Sequence, residues 1–316
     1  MASSIADLAS LARTGPNTFQ CRNNPEKQST GANIAYGGCA IASAVTAACM
    51  DTDNAYRLYS AYGVFLGPAS LTEPFTCTTS LLRKTRMFTT HQVIVSQTVT
   101  DGSRAILTMT LDFHAREPQT VLDFWTQPVM NHPFDQSLPF EDYYAQMRRR
   151  NVPDSLIQWH SNAFPLNTRF FDRRISPHGV MAQNLSGGMR VETSQDDLPL
   201  PDKTSAEWTR SKQPLHTSAE NMAALAFNLD AEVSVVPVLH GQLGIHDVGH
   251  LATLNFALRV FRRDVDLNDW HLKEWRAITA GEGRSYSEAR LWDRTGDMVA
   301  SMTQCCILRS KPVSKL

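Results

Sequence analysis

The sequence lacks the features that mark membrane-spanning and nucleic-acid-binding proteins. No uninterrupted apolar run approaches the roughly 20 residues that cross a bilayer, and the first residues lack the apolar core of a secretion signal. Lys and Arg total 30 against 31 Asp and Glu, so the net charge of -1 gives no basic surface for nucleic acid or an anionic membrane. With 316 residues, 42% of them hydrophobic, the chain is predicted to be soluble and globular, with a large core.

Motifs of cofactor, metal and covalent chemistry are also missing. The six cysteines form no CxxC pair, which predicts free thiols in an intracellular protein, and there is no GxSxG nucleophile elbow. The glycines of 281–286 lack the third glycine of a dinucleotide loop and predict a turn between strands instead. His240, His246 and His250 lie close together without a Cys or carboxylate at a familiar ligand spacing. No cofactor and no metal is therefore predicted.

One pattern of segments occurs twice along the chain. The recurring pairs are 17–23 with 167–174, 37–49 with 218–230, 58–69 with 252–263, and 106–110 with 299–303. The second pair is Ala-rich with helical apolar spacing, and in each half it is followed by a strand-like segment and two long β-like segments around a turn. A helix wrapped by an antiparallel sheet is an α+β unit. We predict an N-terminal unit at 1–116, a surface-packed linker at 117–164 and a C-terminal unit at 165–316.

Gln304 interrupts an apolar strand face near the end of the chain. Alternate residues of this strand, such as Met302 and Cys306, are apolar, and a buried amide without partners costs roughly 1–3 kcal/mol. Aligning the two repeats places Leu111 opposite Gln304, on a face that is apolar throughout. Gln304 is therefore either a core amide with partners supplied by other residues or part of a functional site.

Asp230 and Thr253 are the other two candidates. Asp230 lies at the end of the apolar stripe of the second helix, and its counterpart in the first unit is near Cys49. On that face, burial would raise the pKa of the carboxylate toward that of a useful base, whereas a helix-end aspartate turned to solvent is the alternative. Thr253 is an ordinary residue for a strand, and only its pairing with Asp230 and Gln304 indicates a site.

Three stretches resemble the acyl-CoA thioesterase II family, the double hot-dog thioesterases of bacteria and peroxisomes. They are "LAFNLDAEVSVVP", "HLATLNFALRVF" and "VASMTQCCILR". The resemblance implies two fused hot-dog units that hydrolyse an acyl-CoA to a free acid and coenzyme A. It also implies that an Asp, a Thr or Ser and a Gln hold the hydrolytic water, and the matching residues are Asp230, Thr253 and Gln304.

Several positions depart from the family pattern, and they bear on the substrate more than on the reaction. The usual Asp-His of the second strand is Asn255-Phe256, the usual Gly-Gly-Gln of the first helix ends in Cys39, and a common His is replaced by Tyr62.

The residue types fit direct attack of water on a thioester. Asp230 would accept the proton, and the Gln304 amide and Thr253 hydroxyl can both donate and accept hydrogen bonds to the water. Backbone N–H groups would have to stabilise the oxyanion. Two alternatives remain open: a hot-dog acyl-CoA hydratase or dehydratase, for which His250 or His271 would have to act, and a non-catalytic acyl-binding protein.

The last three residues, Ser314, Lys315 and Leu316, form an address that a peroxisomal import receptor reads. Pro312 just upstream would end the last strand and favour an exposed tail. We therefore predict a protein of the peroxisomal matrix that acts in fatty acid metabolism or specialised metabolite biosynthesis. An open sheet edge in each unit makes a homo-oligomer plausible.

Overall fold

The computed structural model describes residues 1–28 and 33–311. The helices are α1 (Ile5–Leu8), α2 (Gly37–Met50), α3 (Phe140–Arg149), α4 (Asp154–Ser161), α5 (Pro165–Phe170), α6 (Val180–Gln183), α7 (Ser218–Asp230) and α8 (Val236–His240). The strands are β1 (Leu11–Gly15), β2 (Thr18–Cys21), β3 (Tyr56–Phe65), β4 (Thr76–Lys84), β5 (Phe88–Val99), β6 (Gly102–Ala115), β7 (Leu138–Pro139), β8 (Phe171–Ile175), β9 (Ser205–Ser211), β10 (Val248–Val260), β11 (His271–Gly281), β12 (Arg284–Trp292) and β13 (Met298–Ser310).

All thirteen of these strands form one antiparallel sheet. Their order is β1-β2-β4-β5-β6-β3-β10-β13-β12-β11-β9-β8-β7. The central pair is β3 with β10, where Ser60–Val64 pair with Asn255–Arg259. Outward from β3 the order is β6, β5, β4, β2, β1, and outward from β10 it is β13, β12, β11, β9, β8, β7. On each side, the last strand of that half lies next to the centre and the earlier strands follow in reverse chain order. The sheet thus has a first half, built from residues up to 115, and a second half, built from residues after 137.

Helices α2 and α7 pack against each other and against the inner face of the sheet. Helix α7 begins with a capping box, in which Thr217 accepts from the Glu220 N–H and the Glu220 side chain bonds back to the Thr217 N–H. Alanine-rich faces allow a close approach, and every residue of α7 from Asn221 to Asp230 is buried. The first turn of α2 lies beside the last residue of α7, so the two helices run antiparallel.

Several sequence predictions are confirmed by these elements. The Ala-rich stretches form α2 and α7, and the glycine-containing segment after β11 is a turn in which Glu282 and Gly283 have φ values of 50° and 70°. One prediction was wrong in detail, because the first of the two long β-like segments in the first half is a hairpin of two strands, β4 and β5. Alternation with a period of two continues across this turn, so the pattern alone did not separate the strands.

The echo between 17–23 and 167–174 was also wrong as a match of equivalent elements. The echo relates β2 to β8. Strand β2 is the last strand before α2, and the last strand before α7 is β9, so β9 is the counterpart of β2. Shared letters in such a short segment were a weaker guide than strand order.

The stretch predicted as a surface linker contains β7, α3 and α4. Tyr143, Met147 and Ile157 from these helices are buried against Ala182 and Leu185, so the stretch packs on the second half with a small core of its own. Three consecutive arginines in this stretch, at 148–150, lie at the exposed end of α3. The tail with Ser314, Lys315 and Leu316 lies outside the described residues. Across the described ranges, no helix is long and apolar enough to cross a membrane.

Candidate active site

The three candidate residues meet in one chain of hydrogen bonds. Gln304 of β13 donates from Nε2 to Asp230 Oδ1 at 2.6 Å, and it accepts at Oε1 from the Thr253 hydroxyl of β10 at 3.0 Å. The Gln304 side chain is fully buried. The other two candidates therefore provide the partners that this amide needs on an otherwise apolar face.

A β-bulge places Thr253 on the inner face of the sheet. The register between β10 and β13 shifts between Thr253 and Asn255. Because of the extra residue, Thr253 can bond to buried Gln304 while Phe256, three positions later, is also buried. The bulge thus allows both a polar group and the core aromatic ring to point inward from one strand.

Asp230 is the last residue of α7, and its carboxylate lies between the two helices. Only 7% of Asp230 is exposed, and burial raises its pKa to about 7. The Tyr36 hydroxyl, the Gln304 amide and the Gly38 N–H act in the opposite direction, because they stabilise the charged form. A carboxyl with this pKa can exchange a proton near neutral pH, as a general base must.

Two of these groups come from the first half, and sequence reasoning missed them. Tyr36 directly precedes α2; its one hydroxyl hydrogen is donated to the Phe227 carbonyl at 3.0 Å, and the hydroxyl lies close enough to Asp230 to donate there instead. A Cβ on Gly37 would lie 2.9 Å from the Phe65 ring, and one on Gly38 would lie 2.3 Å from the Tyr36 ring. The two glycines therefore make room for the Phe65 and Tyr36 rings at the start of α2, beside the carboxylate. The family resemblance puts the Gly-Gly pair near the expected acyl pocket or seam, but nothing in the sequence placed its N–H groups beside Asp230.

The end of α7 is held by donors from β11. Lys273 is fully buried, and its Nζ donates to Asn228 Oδ1 at 2.6 Å and to the Asn228 carbonyl at 3.2 Å. Trp275 donates from Nε1 to the Ala231 carbonyl at 3.1 Å. These bonds satisfy carbonyls that a helix end leaves without partners, on both sides of Asp230.

A buried cluster of four charges lies next to this helix end. Arg173 contacts Glu207 at 2.5 Å and Glu232 at 2.6 Å, and Lys273 lies 3.0 Å from Glu207. Glu232 follows Asp230 by two residues and has a φ of 73°, an uncommon conformation for a residue with a side chain. The pairing with Arg173 holds Glu232 there and so fixes the chain just after the candidate base.

A cavity of about 550 Å³ opens at this site. Asp230 and Thr253 line it, whereas Gln304 does not. Its walls are mainly apolar. They are formed by Ile34, Ala35, Ala40, Phe65, Leu66, Pro68, Ala69, Ile106, Phe164, Val235, Leu251, Ala252 and Leu254, with Gln28, Tyr36, Glu232 and Ser234 as the further polar side chains. Such a wall suits a mostly hydrocarbon ligand held near a few polar groups.

The other chemistries considered from the sequence find no support at this cavity. His250 is exposed, and buried His271 contacts the Asp269 carbonyl through Nδ1 at 2.9 Å; neither lines the cavity. Burial raises the pKa of Cys306 to about 12, so its thiol is not ionised near neutral pH. Among residues 1–28 and 33–311, no group of three or more His, Cys, Asp or Glu is arranged to hold a metal ion.

Comparison with known proteins relates both halves to one family. Residues 24–114 match the family described as the acyl-CoA thioesterase N-terminal domain, and residues 158–308 match the acyl-CoA thioesterase C-terminal domain. Comparison with curated proteins finds no match.

Solved structures share the fold over almost the whole chain. Acyl-CoA thioesterase II TesB2 from Mycobacterium marinum superposes with a TM-score of 0.69 at 20% identity, covering 98% of this chain and 99% of that one. A putative thioesterase II from Thermobifida fusca gives 0.69 at 18% identity, covering 97% and 98%. A tesB protein from Mycobacterium avium subs paratuberculosis gives 0.67 at 16% identity, covering 96% and 98%.

Proposed function

This chain belongs to the acyl-CoA thioesterase family, and we propose that Asp230, Thr253 and Gln304 carry out its hydrolysis of an acyl-CoA to a free acid and coenzyme A. The observation that carries the assignment is the hydrogen-bonded chain from Thr253 through Gln304 to Asp230, with its two ends at the cavity wall.

The geometry gives each residue a separate role. Asp230 accepts from Gln304 at Oδ1, and its Oδ2, which lies beside Gly37 at the start of α2, would take a proton from a water in the cavity. The Thr253 hydroxyl donates its one hydrogen to Gln304, so its lone pairs can accept the second hydrogen of that water. Gln304 does not line the cavity and is a positioning residue, which orients the two groups that would hold the water.

The start of α2 is the proposed source of oxyanion stabilisation. The first backbone N–H groups of a helix have no partner within the helix, and the helix dipole favours negative charge there. Gly37 lines the cavity at this end of α2, where a Cβ would lie 3.5 Å from Asp230 Oδ2. The developing oxyanion and the attacking water would then lie between the two helices.

We also propose that the chain is two fused hot-dog units, with the boundaries predicted from the sequence. The corresponding strand order on both sides of the central pair supports this arrangement. So do the register shifts at matching places in β3 and β10, between Leu58 and Ser60 and between Thr253 and Asn255.

A thiol-release assay tests the reaction. The purified protein is mixed with an acyl-CoA panel, and a thiol-reactive dye reports free coenzyme A while absorbance reports enoyl groups. Hydrolysis predicts thiol release with a matching amount of free acid. A change in enoyl absorbance without thiol would instead favour the hydratase alternative, and binding without either product would favour the non-catalytic one.

Localisation in the peroxisomal matrix, through Ser314, Lys315 and Leu316, is a further proposal. It rests on the terminal tripeptide, as do a role in fatty acid or specialised metabolism and contact with an import receptor. A fluorescent fusion should move to the cytosol when the tripeptide is removed, with its thioesterase activity unchanged. Entry of the shortened fusion into peroxisomes would contradict this proposal. Oligomerisation through a sheet edge is also proposed, and the molar mass in solution tests it.

A further inference from the structure

The side chain of Gln28 lines the cavity without a hydrogen-bond partner in residues 1–28 and 33–311. Both of its amide atoms are buried, and neither has a hydrogen-bond partner among the described residues. Two other polar side chains of the same wall have partners. Tyr36 bonds to the Phe227 carbonyl. Glu232 bonds through Oε1 to Arg173, with Lys273 3.9 Å from its Oε2. A buried amide without a partner is costly, and its position on a cavity wall indicates that a bound ligand would supply the partner.

We propose that Gln28 binds a neutral hydrogen-bonding group of the substrate, foremost a secondary amide of the pantetheine arm. This inference rests on the proposed function, since it places an acyl-CoA in the cavity. A glutamine amide offers two donors and one acceptor oxygen, which complement the carbonyl and N–H of a secondary amide. An unsubstituted hydrocarbon chain has no group that could satisfy Gln28.

The charges of the wall support a neutral group rather than an anionic one. The cavity-lining residues include the two carboxylates Asp230 and Glu232 and, within the described ranges, neither Lys nor Arg. A phosphate or a carboxylate in this cavity would find no cation among the described residues of the wall, because Arg173, the cation nearest to Glu232, is already paired with Glu207 and Glu232. The diphosphate end of coenzyme A must therefore lie outside, and acyl groups that end in a carboxylate should be poor substrates.

Two neutral sources could supply the partner of Gln28. One is the pantetheine arm, which every acyl-CoA carries, and the other is a hydroxyl or oxo group on the acyl chain. The apolar residues Ile34, Phe65 and Ile106 would pack against methylene groups in either case. The experiment below separates the two sources.

The test compares Gln28→Met with wild type. Methionine has a similar length and no amide, so the pocket keeps its volume. We expect KM for a straight-chain acyl-CoA to rise about 3- to 10-fold with kcat nearly unchanged, and the melting temperature to stay the same or rise. Gln20→Met, at an exposed position of β2, is the matched control and should change none of these values.

Substrate variation identifies the source. An equal loss with plain and 3-hydroxyacyl-CoA assigns Gln28 to the pantetheine arm, and a loss confined to the 3-hydroxyacyl-CoA assigns it to the acyl group. The N-acetylcysteamine thioester keeps only the amide nearest the sulfur. A Gln28-dependent loss that persists with it identifies that amide, and one that disappears identifies the farther amide.

Binding of an acyl-CoA thioether, which cannot be hydrolysed, separates this proposal from the proposed function. Calorimetry should give a weaker Kd for Gln28→Met than for wild type. Unchanged binding and unchanged KM would overturn the proposal even if wild type hydrolyses acyl-CoA. If wild type releases no thiol but Gln28→Met still weakens thioether binding, the hydrolytic function fails and the binding role of Gln28 stands.

Discussion

The two halves of the sheet share a plan and differ in chemistry. In the second half, Phe256 of β10 pairs with Gln304 of β13, and in the first, Ala61 of β3 pairs with Leu111 of β6. Strands β13 and β6 are the neighbours of the central β3–β10 pair on its two sides. Leu111 is fully buried, like Gln304, and Leu58 takes the place of Thr253 before the matching bulge. The same backbone can thus hold an apolar core or a candidate hydrolytic site, and a few side chains decide which.

The helix ends differ in the same way. Asp51, just after α2, is partly exposed; it accepts from Thr79 at 2.8 Å and pairs with Arg13 at 3.2 Å. Asp230 is buried against Gln304 as the last residue of α7, and Lys273 donates to Asn228 in the same helix turn. Residues of both halves line the cavity, and the first half contributes Tyr36 and the start of α2. The three proposed hydrolytic residues all come from the second half, so the chemistry is asymmetric.

Removal of the candidate base should have the largest effect on activity. Asp230→Asn keeps the shape and loses the proton acceptor, so turnover should fall by about 10²- to 10⁴-fold. In wild type, the active form is the carboxylate, and kcat/KM should therefore rise with pH through about 7 and then level off. Thiol-release rates across the pH range measure both effects. Wild-type turnover by a folded Asp230→Asn protein would remove Asp230 from the mechanism.

The same variant has a defined effect on stability. The pKa of Asp230 is raised in the folded state, so its stabilising contribution is complete below the unfolded value of 3.8 and is lost as the pH rises through about 7. Asparagine does not titrate. The melting temperature of Asp230→Asn should therefore improve relative to wild type as the pH increases from 4 to 8, and a constant difference would contradict the raised pKa.

Disruption of the buried charge cluster should have the largest effect on stability. Arg173→Met leaves Glu207 and Glu232 with Lys273 as their remaining nearby cation, which should cost about 3–5 kcal/mol of unfolding free energy. Arg13→Met in the first half breaks the partly exposed pair with Asp51 and should cost less than about 1 kcal/mol. Urea unfolding compares the two. Similar losses would show that the second half does not depend on its cluster.

Gln304→Leu makes the second half resemble the first. Leucine restores the apolar face that Leu111 has, so the protein should fold with its stability little changed. Activity should fall by at least about 10²-fold, because Asp230 and Thr253 lose the group that orients them. Thiol release and a thermal melt on the same sample measure both. If the variant unfolds instead, Gln304 is chiefly a core amide and its role in the site is wrong.

Much of the site could be predicted from sequence because its residues broke local patterns. Gln304 stood out on an apolar strand face, and Asp230 stood out at the end of an apolar helix stripe. Both signals follow from the periodicity of a single element. Thr253 gave no such signal, and it was found through the family resemblance.

Contributions that depend on how distant elements pack were not predictable in this way. Tyr36 and the start of α2 reach Asp230 only because the two helices run antiparallel. Gln28 has no distinctive sequence context, and only the cavity beside it indicates a binding role. The hairpin turn between β4 and β5 was missed for a related reason, because alternation does not report a change of direction. Local patterns identify polar residues on apolar faces, whereas tertiary packing determines which groups meet them.

The reciprocal change, Leu111→Gln, should have the smallest effect and tests the comparison most directly. The first half has Leu58 and Phe113 where the second has Thr253 and Cys306. A glutamine at 111 would therefore lack the hydroxyl and carboxylate partners of Gln304, with only the cross-strand imidazole of His91 beside it. We expect a loss of roughly 1–3 kcal/mol in unfolding free energy and no change in kcat for thiol release. Leu111→Met, which adds no polar group, is the control and should cost less. An unchanged stability for Leu111→Gln would mean that this face tolerates a buried amide without these partners, and the argument that Gln304 requires Asp230 and Thr253 would then lose its basis.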